Sequence, residues 1–221
     1  MTETAEIDWR DGHIPVSRRF DDPYFSLDNG LEETRHVFLT GNSLPDRFRD
    51  GFHIAELGFG TGLNLLATAQ AWQASQTQGA LHFTSFEAYP MTAPDMEQAL
   101  AAFPELAPLA QQLLAHWPPL DAAEIAPGVT FTLIEGDARE TLTRWQGRAD
   151  AWFLDGFSPA RNPELWEPAL LQEVARHTAP GGTAASYTAA GHVRRALADA
   201  GFTVERAKGF GRKRHMTRAR L

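Results

Sequence analysis

From Phe52 onward, short apolar runs alternate with longer stretches in which apolar residues recur at helical intervals. The runs predict strands over 52–57, 81–87, 129–135, 150–154, 183–188, 202–208 and 214–220. Between them the spacing predicts helices over 63–76, from about Pro94 to Phe103, over 106–117, briefly after Asp137, over 164–177 and over 191–200. Proline and glycine mark the breaks at Pro118-Pro119, Pro127-Gly128, Pro180-Gly181-Gly182 and Gly209-Phe210-Gly211. Strands that alternate with helices predict an α/β fold with a mostly parallel sheet. The closing Gly-Phe-Gly turn makes the last strand antiparallel.

Ahead of this core, residues 11–28 carry Ile14, Val16, Tyr24 and Phe25 between Pro15 and Pro23, the pattern of a small hairpin or extended arm. Asp28-Asn29-Gly30 is a turn signal. Leu31, Thr34, Val37 and Phe38 have helical spacing up to a stop at Gly41-Asn42. The predicted organisation is an N-terminal hairpin and helix extension over 1–48 and an α/β domain over 49–221. The extension either caps a site or covers a sheet edge.

A chain of 221 residues with 43% hydrophobic and 22% charged positions can bury a full core. It has no cysteine, which excludes disulfides and thiolate metal sites. Met1 to Arg10 carries Glu3, Glu6 and Asp8, unlike a secretory signal, and no apolar run reaches the ~20 residues of a membrane span. The expected setting is cytoplasmic, with no membrane partner. Net charge is −8, but unevenly spread. From His192 onward nine Lys/Arg face two acids, giving +7; the rest, with 11 Lys/Arg and 26 acids, carries −15. That is either a basic patch for a polyanion or a solvated charged edge.

The chemistry centres on Glu56-x-Gly58-x-Gly60-x-Gly62, between a predicted strand and a predicted helix. Glycines there permit positive φ and close approach of a ligand to backbone N–H groups. A dinucleotide fingerprint, G-x-G-x-x-G, would place its third glycine at position 63, which is Leu63. The pattern instead resembles the first motif of the class I S-adenosylmethionine (SAM) methyltransferases, whose fold is Rossmann-like. Three acids end predicted strands: Glu87, placed to accept ribose hydroxyls, Asp137, placed near an adenine, and Asp155. Asp155 opens Asp155-Gly156-Phe157-Ser158-Pro159, which resembles the short motif of amine-directed methyltransferases. An ammonium has no lone pair and must lose its proton before it attacks a methyl group, so a carboxylate that orients the amine and takes up a proton is useful there. Phe157 is placed to contact the sulfonium or the substrate base. His53, His82, His116 and His177 are scattered without metal-ligand spacing, and Trp72, Trp152 and Trp166 read as core.

These segments in order resemble the methyltransferase domain of the bifunctional tRNA-modifying enzyme MnmC and its free-standing form, MnmD. The resemblance rests on Tyr24-Phe25-Ser26, Asp28 to Arg35, Gly58 to Asn64, Ser85-Phe86-Glu87, Asp150 to Phe157, Asn162-Pro163 and Lys208 to Arg214. It implies SAM-dependent N-methylation of 5-aminomethyl-(2-thio)uridine at the tRNA wobble position. It implies donor contacts from Glu56, Gly58, Phe59, Gly60, Thr61, Gly62, Asn64, Glu87, Asp137 and Asp155. For the tRNA anticodon stem-loop it implies Asn29, Phe157, Arg161, Asn162, Arg194, Lys208, Arg212, Lys213 and Arg214, the basic ones on phosphates. The flavin oxidase half of the bifunctional relatives has no counterpart before Leu221, so FAD is not expected, and a separate enzyme supplies the amine unless the chain is a fragment; without metal-ligand spacing no metal is expected either. The same motifs leave open a methyltransferase of a small-molecule or protein amine, or a silent SAM-fold subunit that binds RNA. Charge reversal at Arg212 and Arg214 is expected to weaken tRNA binding and flatten its salt dependence while leaving SAM affinity unchanged; filter binding across a salt series checks this.

Overall fold

The computed structural model describes residues 3–26, 29–119 and 121–221. In chain order, strands β1 (Ile7–Arg10), β2 (Ile14–Ser17) and β3 (Asp22–Pro23) form a small antiparallel sheet. Helix α1 (Gly30–Thr34) continues as a π turn (Arg35–Leu39) and a 3-10 turn (Thr40–Asn42). Then follow β4 (Phe52–Leu57), α2 (Leu63–Ser75), β5 (Leu81–Glu87), α3 (Ala93–Leu100) and α4 (Ala107–Ala115). Next come β6 (Ala123–Ala126), β7 (Val129–Glu135), α5 (Ala138–Arg144), β8 (Ala149–Leu154) and α6 (Pro168–Arg176). The chain closes with β9 (Thr178–Ser186), α7 (Gly191–Asp199), β10 (Thr203–Lys208) and β11 (His215–Arg220).

The large sheet has the order β10-β11-β9-β8-β4-β5-β7-β6. Strands β9, β8, β4, β5 and β7 run parallel, and β11 is antiparallel to both β9 and β10. Strand order reverses around β4, which pairs β5 on one side and β8 on the other, so the crevice for a ligand opens at their carboxyl ends. Being covered on both faces, β4 is buried almost throughout. Its pleat sends Ile54 to the α2 face, with Phe83, Phe131 and Phe153, and Ala55 and Leu57 to the other, with Trp152, Leu170, Leu171 and Val193. By the same alternation Glu56 points toward α2.

The structure departs from the periodicity in four places. The hairpin starts earlier, pairing Ile7 with Ser17 and Arg10 with Ile14 around a turn at Asp11. Asp28 lies outside the described residues, while Asn29 caps α1 by accepting from Glu32 N at 3.1 Å. Strand β6 was not expected; four residues with one exposed position are too short for the pattern to register. The helix predicted over 164–177 is split at Glu167, whose ψ of 141° is the extended geometry that Pro168 imposes on its predecessor. The Pro180-Gly181-Gly182 turn lies inside β9, as a bulge between the pairs Ala149–Thr178 and Ala151–Thr183.

Residues from α1 to Leu44 belong to the core: Leu31, Val37, Phe38, Leu39 and Leu44 are buried in the α2-side cluster, and Phe38 stacks on Phe153 with centroids 5.3 Å apart. Fully buried Asn42 ties them to the sheet. Its Nδ2 donates to Phe38 O (2.9 Å) and Trp152 O (3.3 Å), and its Oδ1 accepts from Thr183 Oγ1 (2.6 Å) beside the bulge. Arg47 completes the knot by donating to Asn42 O and Thr183 Oγ1 through Nη1 and to Asp150 O through Nη2. No helix among the described residues is long and apolar enough to cross a membrane. Asn42→Ala leaves two carbonyls and a hydroxyl without their buried partner, so it is expected to lower stability by about 1–3 kcal/mol, measured as a reduced urea midpoint at unchanged slope.

Candidate active site

The turn after β4 is built on backbone geometry that excludes side chains. Gly58 has φ +82°, and a Cβ there would stand 3.0 Å from Gly156 Cα. Gly62 begins α2 at φ +80°, where a Cβ would meet Leu113 Cδ2 at 2.8 Å. At the end of β5, Glu87 holds the turn from beside it. Its Oε2 accepts from Phe59 N (2.9 Å) and Gly60 N (3.2 Å), and its Oε1 from Tyr89 N (2.8 Å). A carboxylate has about four acceptor sites, so capacity for a ligand hydroxyl remains.

A cavity of about 890 Å³ opens over these strand ends. Gly58, Phe59, Gly60, Thr61, Asn64, Glu87, Asp137, Asp155, Phe157, Arg161, Asn162 and Lys213 line it. Residues from distant parts of the chain are thus brought together by the carboxyl edge of the sheet. Its volume suits a nucleoside-sized ligand with a second group beside it.

Asn64 organises the floor. Its two amide protons go to two different acids, Glu56 Oε1 and Asp155 Oδ2, each at 2.8 Å, and its Oδ1 accepts from Thr34 Oγ1 at 2.9 Å. Asp155 Oδ1 also accepts from Gly156 N at 2.8 Å. Burial pushes the Asp155 carboxyl up to about 6, against the lowering effect of its hydrogen bonds. Glu56, wholly inaccessible to solvent, accepts a further bond from Ser85 Oγ at 2.7 Å. Burial, and next the charge of Asp155, push it well above the carboxylate range.

Not every predicted residue lines the cavity, and several have partners within the chain. Glu56 does not line the cavity: the pleat turns it under the floor, where it reaches the cavity through Asn64 and Asp155. Gly62 lies behind the wall, against Leu113 and Phe59. Asn29 is spent on capping α1. Asp137 lines the cavity but caps α5 and is gripped by Arg139, whose Nη2 lies 2.6 Å from Oδ2. The hydrogen bonds from the Arg139 side chain hold that carboxyl below its usual range. Arg161 reaches Asp21 at 3.0 Å. Arg194, Lys208, Arg212 and Arg214 stand away from the cavity, whereas Lys213 turns into it and pairs with Glu33 at 2.8 Å.

Phe20, Asp22 and Tyr187 also line the cavity, without a signal in the spacing. Phe157 stacks on Phe20 (4.8 Å) and meets the edge of Tyr24 (4.9 Å), and Ser158 N donates to Asp22 Oδ2 at 2.8 Å, so the β2–β3 arm clasps the Asp155 motif. Tyr187 follows β9, and the rule that ligands gather at strand carboxyl ends points to it. Its hydroxyl donates to Gly156 O at 2.9 Å. His53 lies at the opposite end of β4 from the glycine turn, its Nε2 2.9 Å from Thr84 Oγ1, and burial lowers it to about 4.

An acid with a raised folded value binds its proton more tightly when folded, so its contribution to stability falls as pH rises from its unfolded value near 4 through about 6. Asp155→Asn removes that titration. The variant is expected to lose less stability than the wild type as pH rises through this window, checked by parallel thermal melts.

Over residues 104–221 the chain matches a family described as S-adenosyl-L-methionine-dependent methyltransferase. It is 47% identical over 228 residues to the tRNA 5-methylaminomethyl-2-thiouridine biosynthesis bifunctional protein MnmC of Stutzerimonas stutzeri, with 98% of this chain and 34% of that protein covered. A protein of the same name from Aeromonas hydrophila is 50% identical over 229 residues, covering 96% of this chain and 34% of its own length. The chain spans 34% of the length of these curated relatives. The crystal structure of MnmC2 from Aquifex aeolicus is similar over 98% of this chain and 70% of its own, at a TM-score of 0.74 and 27% identity. With the glycine turn and the strand-end acids of its switch point, the chain belongs to the S-adenosyl-L-methionine-dependent methyltransferase family.

Proposed function

We propose that this chain methylates the primary amine of 5-aminomethyl-(2-thio)uridine at the wobble position of tRNA, giving the 5-methylaminomethyl product. The observation that carries this reading is the Asp155 carboxylate, fixed by Asn64 at the cavity floor beside the glycine turn. The names of the relatives support the nucleoside.

The donor fits what the cavity offers. Gly58, Phe59, Gly60 and Thr61 would present backbone to the methionine end, Glu87 keeps acceptor capacity for ribose hydroxyls, and Asp137 would face the adenine. Bound there, SAM supplies a methyl carbon made electrophilic by its sulfonium. Asp155 accepts a hydrogen bond from the incoming amine and sets its lone pair in line with that carbon. The nitrogen gains the methyl as the carbon–sulfur bond breaks, with S-adenosylhomocysteine leaving, and the new secondary ammonium yields a proton to Asp155 or to water. Phe157 walls the base side of the pocket.

In this reading residues 49–221 are the catalytic unit, and residues 1–48 cap it through the β1–β3 sheet. The exposed Lys208, Arg212 and Arg214, with Arg194 and Arg161, hold phosphates of the anticodon stem-loop, and a flipped wobble base enters the cavity. Work on tRNA sets the enzyme in the cytoplasm.

The test is incubation with labelled SAM and tRNA from a strain lacking the modification, followed by nucleoside analysis. The expected product is labelled 5-methylaminomethyl-(2-thio)uridine. Asp155→Asn should lower its formation by ~10²–10⁴-fold with SAM affinity kept. Label absent from tRNA, or transfer undiminished in the variant, would reject the proposal.

A further inference from the structure

Among the basic residues near the end of the chain, Lys213 reaches solvent and also lines the cavity. Lys213, in the turn between β10 and β11, sends its ammonium into the cavity that holds Asp155. Its Nζ donates to Glu33 Oε1 at 2.8 Å and lies 4.3 Å from the ring centroid of Tyr187. Glu33 belongs to α1 and is 8% exposed, and Tyr187 is tied through its hydroxyl to the residue after Asp155. Two separate elements, α1 and the segment after β9, therefore hold the alkylammonium of the β10–β11 turn at one place in the site.

The charges around that place give it a consequence. Glu33 from α1, Asp155 after β8 and Asp22 from β3 line the same cavity as Tyr187, and their charges add to the burial that keeps its hydroxyl protonated. Lys213 is the cation acting on Asp155 from this group, opposed there by Glu33. Three acids alone would bind an entering primary amine as its ammonium, a form with no lone pair for attack. A cation already fixed among them disfavours a second one.

We propose that Lys213 is an electrostatic residue of the acceptor site, holding protons off the incoming amine and off the Asp155 carboxylate so that both arrive in the forms the transfer requires. This rests on the amine-methylation reading above. Glu33 anchors Lys213 and partly offsets its charge. The two members of the pair therefore act in opposite directions on the same protons. A pair that merely pinned the hairpin to α1 would have no such sign.

The test is single-turnover methyl transfer at saturating SAM, on tRNA bearing 5-aminomethyluridine, followed from acid to alkaline pH. Lys213→Met is expected to displace the acid limb upward by roughly one pH unit, with the rate recovering at alkaline pH. Lys213→Arg, which keeps the charge, should stay near the wild-type limb, and Glu33→Gln should displace it downward. Limbs that stay in place, or that move the same way in Lys213→Met and Glu33→Gln, would overturn the assignment. Should Lys213→Met fail to fold, an unmoved or upward-displaced limb in Glu33→Gln overturns it just as well. No product from the wild type on this tRNA would instead overturn the acceptor reading, and this assignment with it.

Discussion

Two acids that would repel each other are held at one sheet edge by a single carboxamide. Asn64 spends one amide proton on Glu56 and the other on Asp155, and its oxygen is taken by Thr34. Strand β4 delivers Glu56, β8 delivers Asp155, and the glycine turn delivers Asn64 at the start of α2. Neighbouring strands around β4 make that meeting unavoidable, and the amide makes it tolerable. With the deeper acid pushed toward its neutral form, the outer one can carry the charge that faces the cavity.

The remaining walls come from the ends of the chain. The β2–β3 arm lays Phe20 and Tyr24 against Phe157, and the β10–β11 turn brings Lys213 over Tyr187 to Glu33. Neither is a freestanding addition: the stretch from α1 to Leu44 shares the core, and Asn42 and Arg47 fasten it to β8 and β9. The Asp155 carboxylate is thus bounded by segments far apart in sequence and joined in space by hydrogen bonds and ring contacts, a setting in which position, more than basicity, can speed a transfer.

Much of this was legible in the residues. The runs at 52–57, 81–87 and 129–135 became strands with those bounds, because strands covered on both faces are rich in apolar and β-branched residues and are bounded by turns. The antiparallel last strand followed from Gly209-Phe210-Gly211. The parts that were not legible are those where a pattern was overridden. Pro180-Gly181-Gly182 has the composition of a turn, yet Thr183 and Asn42 carry it as a bulge inside β9. The helix over 164–177 had the right spacing, and one proline divided it.

By itself the sequence determined what depends on near neighbours along the chain: which runs are strands, where glycine must take positive φ, and that acids end β5 and β8. Only the tertiary structure decided what each acid and cation meets. It sank Glu56 beneath the floor, gave Asp137 to Arg139, and paired Lys213 with Glu33. The reason is physical. Periodicity and turn chemistry act over a few residues, whereas burial and charge pairing are set by whatever the packing brings alongside.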